Sequence, residues 1–262
     1  MPKKYISNQV LIKVLEQATK DEILSLTRLI EANKKKPYSA TKLQTEICEM
    51  GGQSFMNAIW RGQGTSYLDI VDDVLDELGI KGFSGYNTSI CYYDKIEDLR
   101  CSKDEARHKG IEYAKKAEEK IIIKLLELVY DKLNPNKKEE FDKQISKVTK
   151  EFDSSLTVNL TGTAGLMALG NLGGFATYTF LTTSLSTISM GTLGFGAYTT
   201  ATSTLSILLG PVGWTALGVA GVFALGKPKY EKLIPVVAMI GAIRQRVEYQ
   251  NKEAVNDKKK VD

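Results

Sequence analysis

The fold class predicted by this sequence is all-α, a multi-helix N-terminal domain followed by a glycine-rich hydrophobic helical hairpin. Three observations carry that expectation. Apolar residues recur at three- and four-residue spacing through residues 1–150, helix-starting and helix-stopping residues bracket those runs, and no segment alternates convincingly as a strand does. One-sided helices of this kind bury their apolar stripes only against one another. Then the composition changes: from Ser154 to Gly226 the chain runs 73 residues without an Asp, Glu, Lys, Arg or His, so that all 35 basic and 31 acidic residues lie elsewhere.

The first periodic run places Val10, Leu11, Val14, Leu15 and Ala18 on one helical face. Thr19 and Glu22 have capping-box spacing ahead of Ile23, Leu24, Leu26, Leu29 and Ile30, and Lys34–Lys36 with Pro37 form the stop. A third helix is predicted over 40–49, ending at Gly51-Gly52. Residues 65–78 are the cleanest amphipathic segment, with Tyr67, Ile70, Val71, Val74, Leu75 and Leu78 together and Gly79 placed for a left-handed end. Residues 80–101 lack sustained periodicity and read as a loop. Ser102 and Glu105 then cap a long charged helix that closes in the apolar stretch Ile121–Leu133. Asn134-Pro135 reads as an N-cap and first helical residue, followed by Phe141, Ile145, Val148 and Phe152 on one face.

The uncharged stretch, taken as a segment over 151–227, holds 13 of the 22 glycines and 21 serines and threonines. Its most apolar parts, 164–181 and 205–226, approach the roughly 20 residues that cross a hydrocarbon core about 30 Å thick. Gly170 and Gly174 are four apart, as are Ala216, Ala220 and Ala224. Small residues at that spacing let helix backbones approach closely, which makes these five, with Trp214, candidate membrane or helix-packing residues. Lysines flank both ends, at 147 and 150 and at 227, 229 and 232, so an inserted segment is expected to be a hairpin with 182–204 as its far turn. The alternative is a soluble core that shelters the same residues in protein. Residues 228–250 then read as a packed or interfacial helix and 251–262 as a flexible basic tail.

Composition excludes several function classes. A net charge of +4 gives no concentrated basic face for nucleic acid. Cys48, Cys91 and Cys101 are odd in number and lack CxxC spacing, which predicts reduced thiols. The opening MPKKYISNQV has no apolar run after its lysines, so no secretory signal is expected, and the cytoplasm or the cytoplasmic face of the inner membrane is the expected location. His108, the one histidine, sits in a charged run and supplies neither a multi-histidine metal site nor an evident triad. No Walker-type phosphate loop occurs. Neither catalytic residues, a metal nor a cofactor is therefore expected.

One polar cluster stands out between residues 50 and 73. Gly51, Gly52, Ser54, Asn57, Arg61, Gly62, Gly64, Tyr67, Asp69 and Asp73 combine sharp turns, a short helix over 53–60 and an Arg–Asp pairing across two helices. The cluster is either a structural corner or a site where Arg61 and turn amides hold an anionic group.

The order GG-x-S-x-x-N, RG-x-G, Y-x-x-I-x-x-DV, carried by Gly51, Gly52, Ser54, Asn57, Arg61, Gly62, Gly64, Tyr67, Ile70, Asp73 and Val74, resembles the central motif of the YaaW family of bacterial proteins. DEILSLTRLI, EKIIIKLLELVYDKLNPNKKEEF and the late GPVGW…KPKYEKLIPVVAMIGAIRQR are similar as well. Relatives of the middle segment are often named after a ubiquinol–cytochrome c chaperone. The resemblance implies a helical protein with a glycine-rich apolar C-terminal part and supplies no reaction. The expected function is therefore non-enzymatic: a bacterial helical protein that docks into or perturbs the inner membrane through its hairpin, as a pore-forming or toxin-like defence effector does. Membrane lipid, a second copy of the chain and a protein partner are the expected partners. The alternative is a soluble chaperone or assembly factor.

Overall fold

The computed structural model describes residues 6–52, 65–81, 101–155, 160–181 and 228–261, and all regular structure among them is helical. In chain order the helices are α1 (Ile6–Glu16), α2 (Lys20–Ile30), α3 (Ala40–Gly52), α4 (Tyr67–Glu77), α5 (Lys103–Lys132), α6 (Pro135–Phe152), α7 (Gly162–Asn171) and α8 (Pro228–Val261). A further helical segment covers 174–181.

The helices start where their caps require. Thr19 accepts from the Glu22 amide at 3.2 Å while Glu22 accepts from the Thr19 amide at 2.7 Å, which closes the capping box of α2. Ser66, Ser102 and Asn134 each accept from the amide three residues on, at the heads of α4, α5 and α6. Ends are less faithful to the expectation. Helix α2 stops at Ile30, short of the lysine run, because the chain folds back and the Tyr38 amide donates to Thr27 Oγ1 at 3.0 Å. Helix α3 runs through both glycines instead of stopping before them. A Cβ at Gly51 would lie 2.7 Å from Thr65 Cγ2, so the missing side chain serves the close approach of α3 to α4 rather than a helix end.

Helices α5 and α8 form the axis. Residues 233–244 of α8 are buried throughout, as expected of a helix enclosed on all sides. Around it stand α1, α2, α3, α4 and α5. The front of α5 meets α1 and α4, and its rear meets α7, which also lies on α6. Helix α8 continues to Val261, with neither Gly nor Pro in residues 251–261 to break it.

The uncharged stretch departs from a spanning arm. Residues 164–181 are not one helix: α7 ends at Asn171, Gly173 takes φ +94°, and a helix resumes at 174. Two adjacent glycines, one in the left-handed region, break the ladder that a continuous span needs. Among the described residues no helix is long and apolar enough to cross a membrane. The second expected arm, 205–226, with Ala216, Ala220, Ala224 and Trp214, lies outside the described residues.

One cysteine also differs from expectation. Cys48 is buried and outside any disulfide, as expected, whereas Cys101 is disulfide-bonded. Spacing along the chain does not register a pairing that tertiary approach creates.

Candidate functional site

Helix α8 carries its apolar stripe as Leu233, Val237 and Ile240, and the next position on that stripe is Arg244. On α5 the stripe runs Ala114, Glu118, Ile121, Leu125. The helices close on each other at Gly241, where a Cβ would lie 2.8 Å from the Glu118 Cβ. That approach leaves Arg244 and Glu118 inside the bundle facing each other. Arg244 Nε donates to Glu118 Oε2 at 2.7 Å and its terminal nitrogen to Oε1 at 3.0 Å, a bidentate pair with side chains 7% and 1% exposed. Tyr67 completes the cluster from α4, donating from its hydroxyl to Glu118 Oε1 at 2.7 Å.

Burial, and then the Glu118 charge, push the Tyr67 phenol well above its ordinary value, so it remains a donor. Burial opposes the Arg244 charge, but the adjacent Glu118 carboxylate outweighs it and holds the guanidinium above its usual range. From α1, Asn8 accepts the Tyr67 amide at 2.8 Å, and the Gln44 side chain of α3 donates to the Asn8 carbonyl. Five helices thus converge on one buried polar centre.

A second pair ties α2 to α8. Arg246 donates twice to Glu22 at 2.8 Å and also to the Gln17 carbonyl at 3.1 Å. Glu22 is therefore both capping-box acceptor and ion-pair partner. On the other side of α4, Asp72 accepts from Tyr113 of α5. Burial, opposed by that bond and reinforced by Asp69, Asp76 and Asp73, raises Asp72 to about 6.

Of the predicted polar corner, Gly51, Gly52, Tyr67, Asp69 and Asp73 are described. Tyr67 turns inward to Glu118 and Gly51 seats α3 on α4, as above. Asp69 accepts from Thr65 Oγ1 at 3.2 Å. Asp73 lies beside Tyr230, whose phenol is pushed up to about 12 by burial first and by Asp73 next. Ser54, Asn57, Arg61, Gly62 and Gly64 lie outside the described residues, and with them the expected Arg–Asp pairing.

The two small-residue positions face different helices. A Cβ at Gly170 would meet Ile123 of α5 at an ordinary 3.5 Å, while one at Gly174 would meet Gln245 of α8 at 2.8 Å. Gly165, between them and the start of α7, lies against Ile145 of α6, where a Cβ would come within 2.6 Å.

Glu118, Arg244, Glu22, Arg246 and Asn8 were not legible as a cluster in the sequence. The available signal was an ionisable residue standing on an apolar stripe, at Glu118 and at Arg244. Chemically, Glu118, Arg244 and Tyr67 bond to one another, while the Asn8 side-chain nitrogen beside them is buried without a hydrogen-bond partner. His108 is exposed on α5, and among the described residues no group of His, Cys, Asp or Glu is arranged to hold a metal. Among the described residues, an open groove of about 430 Å³ lies between α5, α7 and the turn after α4.

Compared with known proteins, the chain is similar to two UPF0174 proteins of Helicobacter pylori (strain J99 / ATCC 700824). One is 24% identical over 221 residues, covering 82% of this chain and 74% of the relative. The other is 24% identical over 233 residues, covering 87% of this chain and 98% of the relative. That designation names no activity. No protein-family model matches the chain, and no solved structure matches it.

Proposed function

We propose that this is a non-enzymatic helical protein in which a charged bundle shelters an uncharged segment and yields it to the bacterial inner membrane from the cytoplasmic side. The observation that carries the reading is the way 162–181 is attached. Its inner face buries Leu166, Leu169, Ala176, Phe180 and Leu181, and Phe180 meets Phe141 edge-on at 4.9 Å. Its outer face holds Met167, 62% exposed, and carries no charge. The N-terminus of α7 is held by the Gly162 amide donating to Asp142 at 2.7 Å and by Ser146 donating to the Leu160 carbonyl at 2.9 Å. Detachment would leave no charged group of the segment unpaired, because it has none, and lipid would replace the apolar surroundings it loses. Association of segments through small-residue faces would extend this to a pore. The motif around Gly51 and the UPF0174 likeness support placing the chain with the YaaW proteins.

A second reading, a soluble assembly factor or chaperone, is favoured by the same buried face, which then belongs to a permanent core.

Flotation of the full chain with phosphatidylglycerol–phosphatidylethanolamine vesicles separates the two. The wild type is expected to float. A Gly170→Cys/Ile123→Cys pair, which ties α7 to α5, is expected to stay at the bottom when oxidised and to float when reduced. A wild type that never floats overturns the membrane reading in favour of the soluble one, and an oxidised pair that floats overturns the release step.

A further inference from the structure

The segment 162–181 is held in two parts, and the two are not held alike. Helix α7 is anchored at its head by the bonds from Gly162 to Asp142 and from Ser146 to Leu160. The large side chains it buries, Leu166 and Leu169, are apolar. The helix over 174–181 begins after the break at Gly173, φ +94°. It rests on α8 through Phe175 against Tyr249 and on α6 through Phe180 against Phe141. Gln245 of α8 lies against Gly174, where a Cβ would come within 2.8 Å of its side chain. Two polar atoms of this second part and its seat, Thr177 Oγ1 and Gln245 Oε1, are buried without a hydrogen-bond partner.

The Thr177 orphan is a consequence of the break. Buried Thr27 and Thr149 donate to the carbonyl four residues back, at 2.7 and 2.9 Å, and buried Thr65 donates to Asp69. For Thr177 the carbonyl four residues back belongs to Gly173. That carbonyl already accepts the amides of Ala176 and Thr177, at 3.1 and 3.4 Å, and the hydroxyl does not reach it. A buried polar atom left unbonded shifts an opening equilibrium by at least about fivefold. Opening returns Thr177 and Gln245 to water. Among the described residues α7 buries no such side-chain atom, so its opening has no comparable gain.

We propose that 174–181 is a loose latch, which leaves α8 first by turning about Gly173 and is followed by α7. As the first step of membrane delivery the latch rests on the release reading above, whereas the order of opening is read without lipid. The test is hydrogen–deuterium exchange of the full chain in buffer. Protection factors within 174–181 are expected to be at least fivefold lower than within 163–171. Thr177→Val keeps the branched shape and removes the orphan hydroxyl, and Gln245→Met keeps the length and removes the orphan carbonyl. Together they are expected to slow exchange of 174–181 at least fivefold with α5 unchanged. Thr177→Ser, which keeps the hydroxyl, is expected not to slow it. The oxidised Gly170→Cys/Ile123→Cys pair is expected to slow α7 and to leave 174–181 within twofold of the wild type. Equal protection of the two parts, no slowing by the double variant, slowing by Thr177→Ser as large as by Thr177→Val, or a tie that slows both parts alike overturns the latch. With phosphatidylglycerol-containing vesicles at limiting lipid, the double variant is expected to float at least threefold less than the wild type, and equal flotation overturns the latch as the first step. A wild type that does not float overturns the release reading, and the exchange data then decide the order of opening by themselves.

Discussion

Around Glu118, charged and polar groups from α1, α3, α4, α5 and α8 hold one another in directional bonds. Along 162–181 no charged side chain of the segment takes part in its attachment. In its place are the edge-on Phe141–Phe180 contact, the stack of Phe175 on Tyr249 and the close passage of Gly165 beneath Ile145. Separating the first set strands ions in a low-dielectric interior. Separating the second exposes apolar surface, at about 25 cal/mol per Å², and any other apolar environment restores that term. Thr177 adds to the contrast, since its hydroxyl is buried without a hydrogen-bond partner in the docked segment. One region is held by directional bonds between charged and polar groups, the other by apolar and aromatic contact.

The largest expected effect tests the committed region. Glu118→Ala leaves Arg244 buried and unpaired, and such a change costs about 3–5 kcal/mol, read by urea or thermal denaturation. A loss near zero would remove the contrast at its stronger end. Next is Phe180→Ala, which empties a fully buried site at a cost of about 3 kcal/mol. Its effect is expected in amide exchange of 162–181, with exchange in α5 and α8 much less changed. Equal acceleration everywhere would join the two regions into one cooperative unit.

A smaller effect comes from Asp72. Its carboxyl is raised to about 6 in the fold from an ordinary value of 3.8, with burial as the first cause. A group raised on folding contributes stability below its unfolded value and loses that contribution as pH climbs through its folded value. The wild-type stability minus that of Asp72→Asn is therefore expected to fall between about pH 4 and 6.5, leaving the variant more stable at pH 7 by about 1 kcal/mol after allowance for partial exposure. Denaturation curves across that range check it. Smallest of all is Glu139→Ala, which removes an exposed i,i+4 partner of Lys143 and is expected to leave the melting temperature unchanged.

Much of the fold was legible because helix starts are written locally. Thr19, Ser66, Ser102 and Asn134 satisfy amides within three residues, and periodic stripes such as Phe141, Ile145 and Val148 point inward as their spacing requires. Helix ends were less legible where tertiary contact decided them, as at Tyr38 on Thr27 and at Gly51 under Thr65. The buried polar centre was hidden for a related reason. Arg244 and Arg246 stand at the end of the apolar run 233–243, yet each reaches a carboxylate more than 120 residues away along the chain. No local pattern encodes such a pairing. The groove was equally hidden, because its walls come from three separate stretches of sequence.

The most direct measurement of the central claim is hydrogen–deuterium exchange of the full chain, alone and with phosphatidylglycerol-containing vesicles. The account predicts that 162–181 exchanges through an opening cheaper than that of α5 and α8, and that vesicles alter protection there while the helices around Glu118 stay protected. Exchange of 162–181 only through global unfolding, unaltered by vesicles, would contradict it.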